Sequence, residues 1–250
     1  MAKKLSEIKD YIDSSTAEFE RYLKTQVSPD LYSKILSIAS VSNVFVFSGI
    51  IRNYFLNIDS NRDLDLVLDK KINIEDYFHS GEIKKNSYGG YKIIYKKQII
   101  DLWYVNDTWA FKFQKSFDFA NNLLLPETSF FNFSSIIYHI NSNRFIYTKH
   151  FLRFIRDKRI NVVFKPNANY DLCIINTIYY SKKYDLKIAE KLQDYIVDLF
   201  YEDTHNFESI QKKHFGKVIY SNNEIEEFVT NLHNKNQRGK RLVKDQLKMF

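Results

Sequence analysis

Two kinds of hydrophobic periodicity divide the chain. From residue 5 to about residue 38, apolar side chains recur at three- and four-residue spacings, as at Ile8 and Ile12, and this spacing predicts helices. Ser28-Pro29-Asp30 interrupts the pattern, as expected where one helix ends and another begins. Residues 1–40 are therefore predicted to form an N-terminal helical extension.

The pattern changes over residues 41–148, where short apolar runs rich in β-branched and aromatic residues predict strands. One run ends at Phe47, and a second, Leu64 to Leu68, directly follows two charged residues. Gly89-Gly90 and Lys96-Lys97 have the character of turns between strands. These residues are predicted to form a mixed β-sheet with flanking helices.

Helical spacing returns after residue 148. It is visible in residues 151–156, in a run beginning at Tyr170, in residues 186–200 and in residues 224–250. Residues 149–250 are thus predicted to form a helical neck and C-terminal domain. The predicted fold class is α+β, with a mixed α/β head followed by a helical half.

Two carboxylates lie two positions apart at the start of a predicted strand. Because residues alternate sides along a strand, Asp63 and Asp65 should share one face while Leu64 and Leu66 enter the core. Such a pair is costly to keep ionised without a cation, and its hard oxygen ligands suit Mg²⁺ or Mn²⁺. A metal site and a solvated strand edge both fit the pair alone.

A third carboxylate is expected in such a site, and Asp101 is the candidate. It interrupts the apolar, β-rich run Gln98-Ile99-Ile100-Asp101-Leu102-Trp103. That run is predicted to be a neighbouring strand, so Asp101 would lie beside the first pair. Three carboxylates around divalent cations favour phosphoryl or nucleotidyl transfer, with activation of a hydroxyl and stabilisation of the leaving pyrophosphate.

The sequence around these carboxylates resembles a known family over roughly residues 40–190. Ser48-Gly49-Ile50-Ile51-Arg52-Asn53, followed by Asp63-Leu64-Asp65 with thirteen residues between Gly49 and Asp63, is similar to the head-domain signature of class II tRNA CCA-adding enzymes and bacterial poly(A) polymerases. These enzymes belong to the DNA polymerase β-like nucleotidyltransferase superfamily. The resemblance implies Asp63, Asp65 and Asp101 as metal ligands and catalytic residues, and an NTP as substrate.

The same resemblance implies a cradle for the triphosphate formed by Ser48, Gly49 and Arg52. A glycine suits this role because, lacking a Cβ, it lets backbone amides approach phosphate closely. For Arg52, a phosphate contact and a salt bridge with the acidic cluster both stay open. Asn132 lies where the family places the element that reads the nucleotide sugar.

Two stretches depart from the family pattern. Thr128-Ser129-Phe130 replaces Arg-Arg-Asp in the sugar-reading element, and the run from Tyr170 lacks the Glu-Asp-x-x-Arg motif that selects the incoming base. Faithful addition of C and then A is therefore not expected. Asn176 and Tyr180, four apart on a predicted helix, either touch a base or form a partly buried polar spot.

Basic charge is concentrated in two segments. Residues 149–165 and 231–250 each contain six basic residues and one acid, a net charge of +5 each, against +7 for the whole chain. The rest of the chain is net acidic. Such a distribution predicts a polyanionic partner, here RNA and above all tRNA, although a solvated basic face has the same composition. Phe151, Phe154 and Phe164 interleave with the first segment and are expected mainly in the core.

These features predict a magnesium-dependent nucleotidyltransferase that moves NMP from an NTP to a hydroxyl, in RNA above all. The alternatives are a toxin- or defence-type enzyme that modifies a protein or small molecule, and an inactive RNA-binding module. No apolar run is long enough to span a bilayer, and the first residues lack the core of a signal peptide, so we expect a cytoplasmic protein. The single cysteine, Cys173, excludes an internal disulfide and is expected in the core.

Overall fold

The computed structural model describes residues 4–47, 49–58, 63–79, 81–86, 89–113, 120–202 and 204–247, with side chains through residue 234. The chain divides into two compact units, Met1–Asp157 and Lys158–Phe250. In the described part of the chain, no helix combines the length and apolar character needed to cross a membrane.

Three helices open the first unit, as the apolar spacing predicts: α1 (Leu5–Ser14), α2 (Thr16–Gln26) and α3 (Pro29–Ala39). The Ser28 side chain accepts a hydrogen bond from the backbone N–H of Leu31, which caps α3 ahead of a proline at its first position. The predicted break is therefore the start of α3.

A seven-stranded mixed sheet forms the centre of the first unit. Its strands are β1 (Val44–Phe47), β2 (Leu64–Leu68), β3 (Glu82–Lys85), β4 (Tyr91–Tyr95), β5 (Gln98–Tyr104), β6 (Ile136–His139) and β7 (Arg144–Tyr147). Their order across the sheet is β3-β4-β5-β2-β1-β6-β7. Strands β2 and β5 are parallel, and the other neighbouring pairs are antiparallel.

Helices and short 3₁₀ segments connect the strands. The helices are α4 (Gly49–Leu56), α5 (Glu75–Phe78), α6 (Trp109–Phe113) and α7 (Lys149–Asp157), and the 3₁₀ segments are Val105–Asp107, Asn122–Thr128, Asn132–Ser134 and Ile140–Ser142. Helix α7 opens the predicted C-terminal half but belongs to the first compact unit.

The N-terminal helices are tied to the sheet through Gln98 at the start of β5. Its side-chain oxygen accepts a hydrogen bond from the Ser28 N–H (2.8 Å), and its amide nitrogen donates to the Gln26 carbonyl (3.1 Å). One side chain thus satisfies two backbone groups at the α2–α3 junction, which would otherwise need water.

The second unit is mainly helical. It contains α8 (Tyr170–Lys183), α9 (Glu190–Glu202), α10 (Phe207–Phe215) and α11 (Asn222–Leu247), together with a small parallel pair, β8 (Arg159–Ile160) and β9 (Lys187–Ile188). Periodicity predicts α8, α9 and α11 but does not indicate α10. Cys173 is buried in α8, as expected, and burial raises the pKa of its thiol to about 12.

Candidate active site

Asp65 and Asp101 lie directly opposite each other in the centre of the sheet. The parallel register of β2 and β5 pairs Asp65 with Asp101 and Leu66 with Leu102. Asp63 precedes β2 by one residue and shares the Asp65 face, while Leu64 and Leu66 are buried. The sheet therefore brings the three predicted carboxylates to one face, at the start of β2 and in the middle of β5.

A lysine contacts two of these carboxylates. The ammonium nitrogen of Lys92 is 4.0 Å from an Asp63 carboxylate oxygen and 3.7 Å from an Asp101 oxygen. All three side chains are between one third and one half exposed, so solvent screens the interaction. Lys92 lowers the repulsion among the acids without burying the cluster.

The β4–β5 hairpin places Lys92, which no sequence motif singles out. Lys96 and Lys97 both have positive φ, 46° and 69°, and join the strands in a two-residue turn. Tyr95 therefore pairs with Gln98, and counting back along the register pairs Lys92 with Asp101. The Lys-Lys turn is visible in the sequence, and the same count from it would identify Lys92.

The donor set suits a hard divalent cation, since it consists of carboxylate oxygens on one sheet face. As the side chains stand, no group of three or more histidine, cysteine, aspartate or glutamate residues in the described ranges is arranged to hold a metal ion. The Lys92 ammonium already contacts two of the acids. Ligand chemistry fits magnesium, and closing the carboxylates around the ion would require Lys92 to give way.

The predicted phosphate cradle lies where β1 meets α4. Ser48 falls outside the described residues, and Gly49 is the first residue of α4 and is buried. The Arg52 side chain is only 2% exposed. Its guanidinium donates to the Asn53 side-chain oxygen (3.1 Å from Nη2) and lies over the Phe133 ring at 5.1 Å. Arg52 therefore packs inside the unit beside Asn53 and Phe133.

Asn132 begins the 3₁₀ segment Asn132–Ser134 and is buried. Phe131 and Phe133 stack on each other at 5.0 Å around it. This segment ends two residues before β6 begins, and β6 and β7 form the antiparallel pair that follows it.

Two pockets are lined in part by residues of β5, the strand that carries Asp101. One, of about 320 Å³, is bordered by Asp63, Lys97 and Gln98 among others. The other, of about 290 Å³, is lined by aromatic residues that no sequence motif connects with the site, among them Phe47 and Trp103. The available signal was Trp103 itself, which follows Asp101 by two residues and so shares its face.

The basic segments differ in what the structure describes. In residues 149–165, Phe151, Phe154 and Phe164 are buried, which confirms their expected place in the core. Arg153 is exposed, and Arg156 forms an ion pair with Asp157 (2.6 Å). Side chains from residue 235 onward lie outside the described part.

Asn176 and Tyr180 both lie on α8, as predicted. The Asn176 side-chain oxygen is buried and forms no hydrogen bond among the described residues. Tyr180 stacks on Tyr184, with ring centroids 5.8 Å apart. Both features match a partly buried polar spot.

No protein-family model matches this chain, and no curated protein matches its sequence. Solved structures do match its fold. A CCA-adding enzyme in complex with CTP has a TM-score of 0.60 at 16% identity, over 85% of this chain and 52% of that one. The chain thus spans about half the length of that enzyme.

Two further matches cover more of both chains. A CCA-adding enzyme in complex with ATP has a TM-score of 0.51 at 15% identity, and a Thermotoga maritima CCA-adding enzyme complexed with tRNA has 0.52 at 14%. Each match covers 92% of this chain and 74% of the other. The predicted fold class is confirmed: the chain has the mixed α/β nucleotidyltransferase head fold seen in CCA-adding enzymes, with further helices.

Proposed function

We propose that this protein is a divalent-metal-dependent nucleotidyltransferase that moves a nucleoside monophosphate from an NTP to a hydroxyl of RNA, with release of pyrophosphate. The observation that carries the proposal is the in-register pair Asp65 and Asp101, with Asp63 on the same sheet face. Fold alone does not specify chemistry, whereas three acids converging in the sheet centre do limit it.

In this proposal the three carboxylates hold the metal, and Asp101 is also placed to accept the proton of the attacking hydroxyl. A bound divalent cation would favour ionisation of that hydroxyl and neutralise charge on the leaving pyrophosphate. Gly49 provides its backbone N–H to the triphosphate from the start of α4. Arg52 acts indirectly, because its buried guanidinium fixes the turn through Asn53 and Phe133.

Lys92 has two states in this account. Without a cation it compensates Asp63 and Asp101, and with a cation bound its ammonium is freed to approach the triphosphate. The side chain is about 46% exposed and therefore has room to move. Lys92 is thus a positioning residue whose counter-charge offsets the repulsion between Asp63 and Asp101 before substrate binds.

RNA is the favoured acceptor because the two basic segments together exceed the net charge of the whole chain. The Thermotoga maritima enzyme with this fold is complexed with tRNA, which supports a tRNA 3′ end as the acceptor. The absence of Glu-Asp-x-x-Arg in the run from Tyr170 argues against addition of an ordered CCA sequence, because that motif is the one that selects the incoming base.

The test is to incubate the protein with each α-labelled NTP, Mg²⁺ and total cellular RNA, and to resolve the products by size. We expect label on RNA-sized species with wild type and none with Asp65→Asn. Label on protein or small molecules would show that the acceptor is not RNA and would favour a toxin- or defence-type enzyme. No label with any NTP or acceptor would contradict the proposed transfer and leave a non-catalytic RNA-binding module.

A further inference from the structure

The pocket beside β5 has the composition of a site for a flat aromatic ring. Phe47, Trp103 and Trp109 line it, and Phe47 meets Trp103 edge to face at 5.5 Å. Ligand pockets are commonly apolar and aromatic with a few polar groups that fix orientation. Around these three rings the polar groups belong to Asn86, Asp107, Thr108 and Thr128.

Most of the polar groups in this pocket are already engaged within the protein. Asp107 forms ion pairs with Lys112 (2.7 Å) and Lys71 (3.5 Å). The Thr128 hydroxyl donates to the Leu125 carbonyl (2.7 Å). These contacts shape the wall and leave its hydrogen-bonding capacity largely occupied.

Thr108 is different. Its hydroxyl oxygen is buried and has no hydrogen-bond partner among the described residues, although the residue lines the pocket. Leaving a buried polar group unpaired is costly, so such a group calls for an explanation. A ligand that presents a donor or acceptor at the edge of its ring would provide the partner once the Thr108 side chain turns its hydroxyl toward the pocket.

The backbone beside the pocket is also closely fitted. A Cβ at Gly90 would lie 2.8 Å from the Leu102 carbonyl oxygen and 3.1 Å from the Trp103 Cβ. Only glycine lets the start of β4 approach β5 this closely. The glycine turn therefore holds the pocket wall against Trp103, which supports a built cavity.

The pocket and the carboxylates are separated by about the length of one nucleoside. Trp103 follows Asp101 by two residues on the same face of β5, about 7 Å along the strand. Phe47 ends β1 immediately before the turn into α4. A nucleotide whose phosphates face Asp101 and Gly49 would thus extend its ring toward Phe47 and Trp103.

We propose that the pocket lined by Phe47, Trp103 and Trp109 binds the nucleobase of a nucleotide placed at the carboxylates, with the Thr108 hydroxyl bonded to the edge of the base. The site deepens the proposed function and rests on it for the placement of the phosphates. The base belongs either to the incoming NTP or to the terminal nucleotide of the acceptor RNA.

The chain is suited to a direct test, because Trp103 and Trp109 are its only two tryptophans and both line the pocket. The full-length protein is titrated with each NTP, with a short single-stranded RNA and with inorganic triphosphate, and tryptophan emission is followed. We expect quenching by an NTP or by the RNA, and none by triphosphate, which has no base. Emission that responds equally to triphosphate would contradict base binding here.

One variant and its control locate the ligand, with binding affinity measured by calorimetry. Base-aromatic stacking predicts that Trp109→Leu weakens binding of the NTP or the RNA by about ten- to a hundredfold and leaves triphosphate binding unchanged. If only NTP binding is weakened, the pocket holds the base of the incoming NTP. If only RNA binding is weakened, it holds the terminal base of the acceptor. Leu123→Ala, at an exposed position of the same unit, is the control and should bind as wild type does.

Thr108→Val gives a second, independent result. Removing the unpaired hydroxyl should raise the melting temperature, whereas loss of its bond to the base should weaken nucleotide binding several-fold. Stability that rises with unchanged affinity for both the NTP and the RNA would overturn the role of Thr108. Trp109→Leu affinities for both ligands within twofold of wild type would overturn the pocket assignment.

The outcome is separable from that of the transfer reaction. Binding measured in the Asp65→Asn protein needs no turnover, so Trp109-dependent binding without transfer by wild type would retain the pocket and reject the proposed function. Transfer with the same KM in wild type and Trp109→Leu, for NTP and RNA alike, would retain the function and reject the pocket.

Discussion

Individual side chains in the sheet centre balance charge that the backbone register forces together. Asp65 and Asp101 face each other because β2 and β5 are parallel neighbours, and Lys92 contacts both Asp101 and Asp63. Period-two alternation was enough to predict that Asp63 and Asp65 share a face. The position of Arg52 was not predictable, because burial against Phe133 depends on a 3₁₀ segment about eighty residues further along the chain.

His139 provides a test at the scale of one residue. Its Nε2 donates to the Asn43 side-chain oxygen (3.0 Å), the Ser142 hydroxyl donates to its Nδ1 (2.7 Å), and its ring stacks on Phe45. Burial, aided by the charge of Arg144, lowers the pKa of His139 below 6.5. The folded protein therefore holds this imidazole in its neutral form.

The unfolded chain takes up a proton at His139 as the pH falls below about 6.5, before the folded protein does. Stability should thus be fully present above that pH and decline below it. In His139→Gln, urea unfolding between about pH 5 and 7.5 should show a shallower decline than in wild type. His79→Gln, an exposed position, serves as control, and an equal slope in wild type and His139→Gln would contradict the assignment.

At the scale of elements, the β4–β5 hairpin positions the lysine that partly neutralises the carboxylates of the site. A two-residue Lys96-Lys97 turn fixes the register that sets Lys92 beside Asp101. The sequence predicts Asp101 in a strand beside the first acids, and the structure places β5 next to β2. It could not predict the parallel direction of that pair, since strand direction depends on the connection through α5 and β3 to β5.

Replacing Lys92 by methionine should destabilise the protein without a divalent cation, because Asp63 and Asp101 lose their counter-charge. For partly exposed pairs worth about 1 kcal/mol at most, the melting temperature should fall by roughly 2–4 °C. Added Mg²⁺ should raise the melting temperature of Lys92→Met more than that of wild type, because the cation no longer competes with the ammonium.

The matched control is Lys84→Met. Lys84 pairs with Lys92 in the β3–β4 register, but its ammonium contacts Glu82 (2.6 Å). Its variant should show the wild-type response to Mg²⁺. An unchanged Mg²⁺ response in Lys92→Met would mean that Lys92 does not compete for the carboxylates.

At the scale of the whole molecule, an acidic site accompanies a strongly basic chain. The net charge of +7 is exceeded by the two basic segments together, and these segments are the proposed contacts to RNA. Composition predicted this asymmetry. It did not reveal the division after Asp157, because no glycine- or proline-rich linker marks it in the sequence.

Salt dependence measures the contribution of the C-terminal segment. Glutamine in place of its six basic residues, Lys235, Arg238, Lys240, Arg241, Lys244 and Lys248, should weaken binding to a single-stranded RNA. The slope of log affinity against log salt should become shallower by up to about 4, since each phosphate that the protein no longer neutralises accounts for roughly 0.7.

The control for this change carries six Lys→Gln substitutions at exposed lysines of the first unit. It alters the net charge equally and should keep most of the wild-type slope. Equal slopes for both variants would mean that RNA binding depends only on the overall charge of the protein.

The most direct test of the central claim is pyrophosphate release from each NTP in the presence of Mg²⁺ and total RNA. If the carboxylates hold the metal, wild type releases pyrophosphate and folded Asp65→Asn releases no more than the reaction without enzyme, with its melting temperature kept. Asp76→Asn, which changes an exposed carboxylate on α5, keeps the wild-type rate. Release at the wild-type rate by folded Asp65→Asn would contradict the role of these carboxylates as metal ligands.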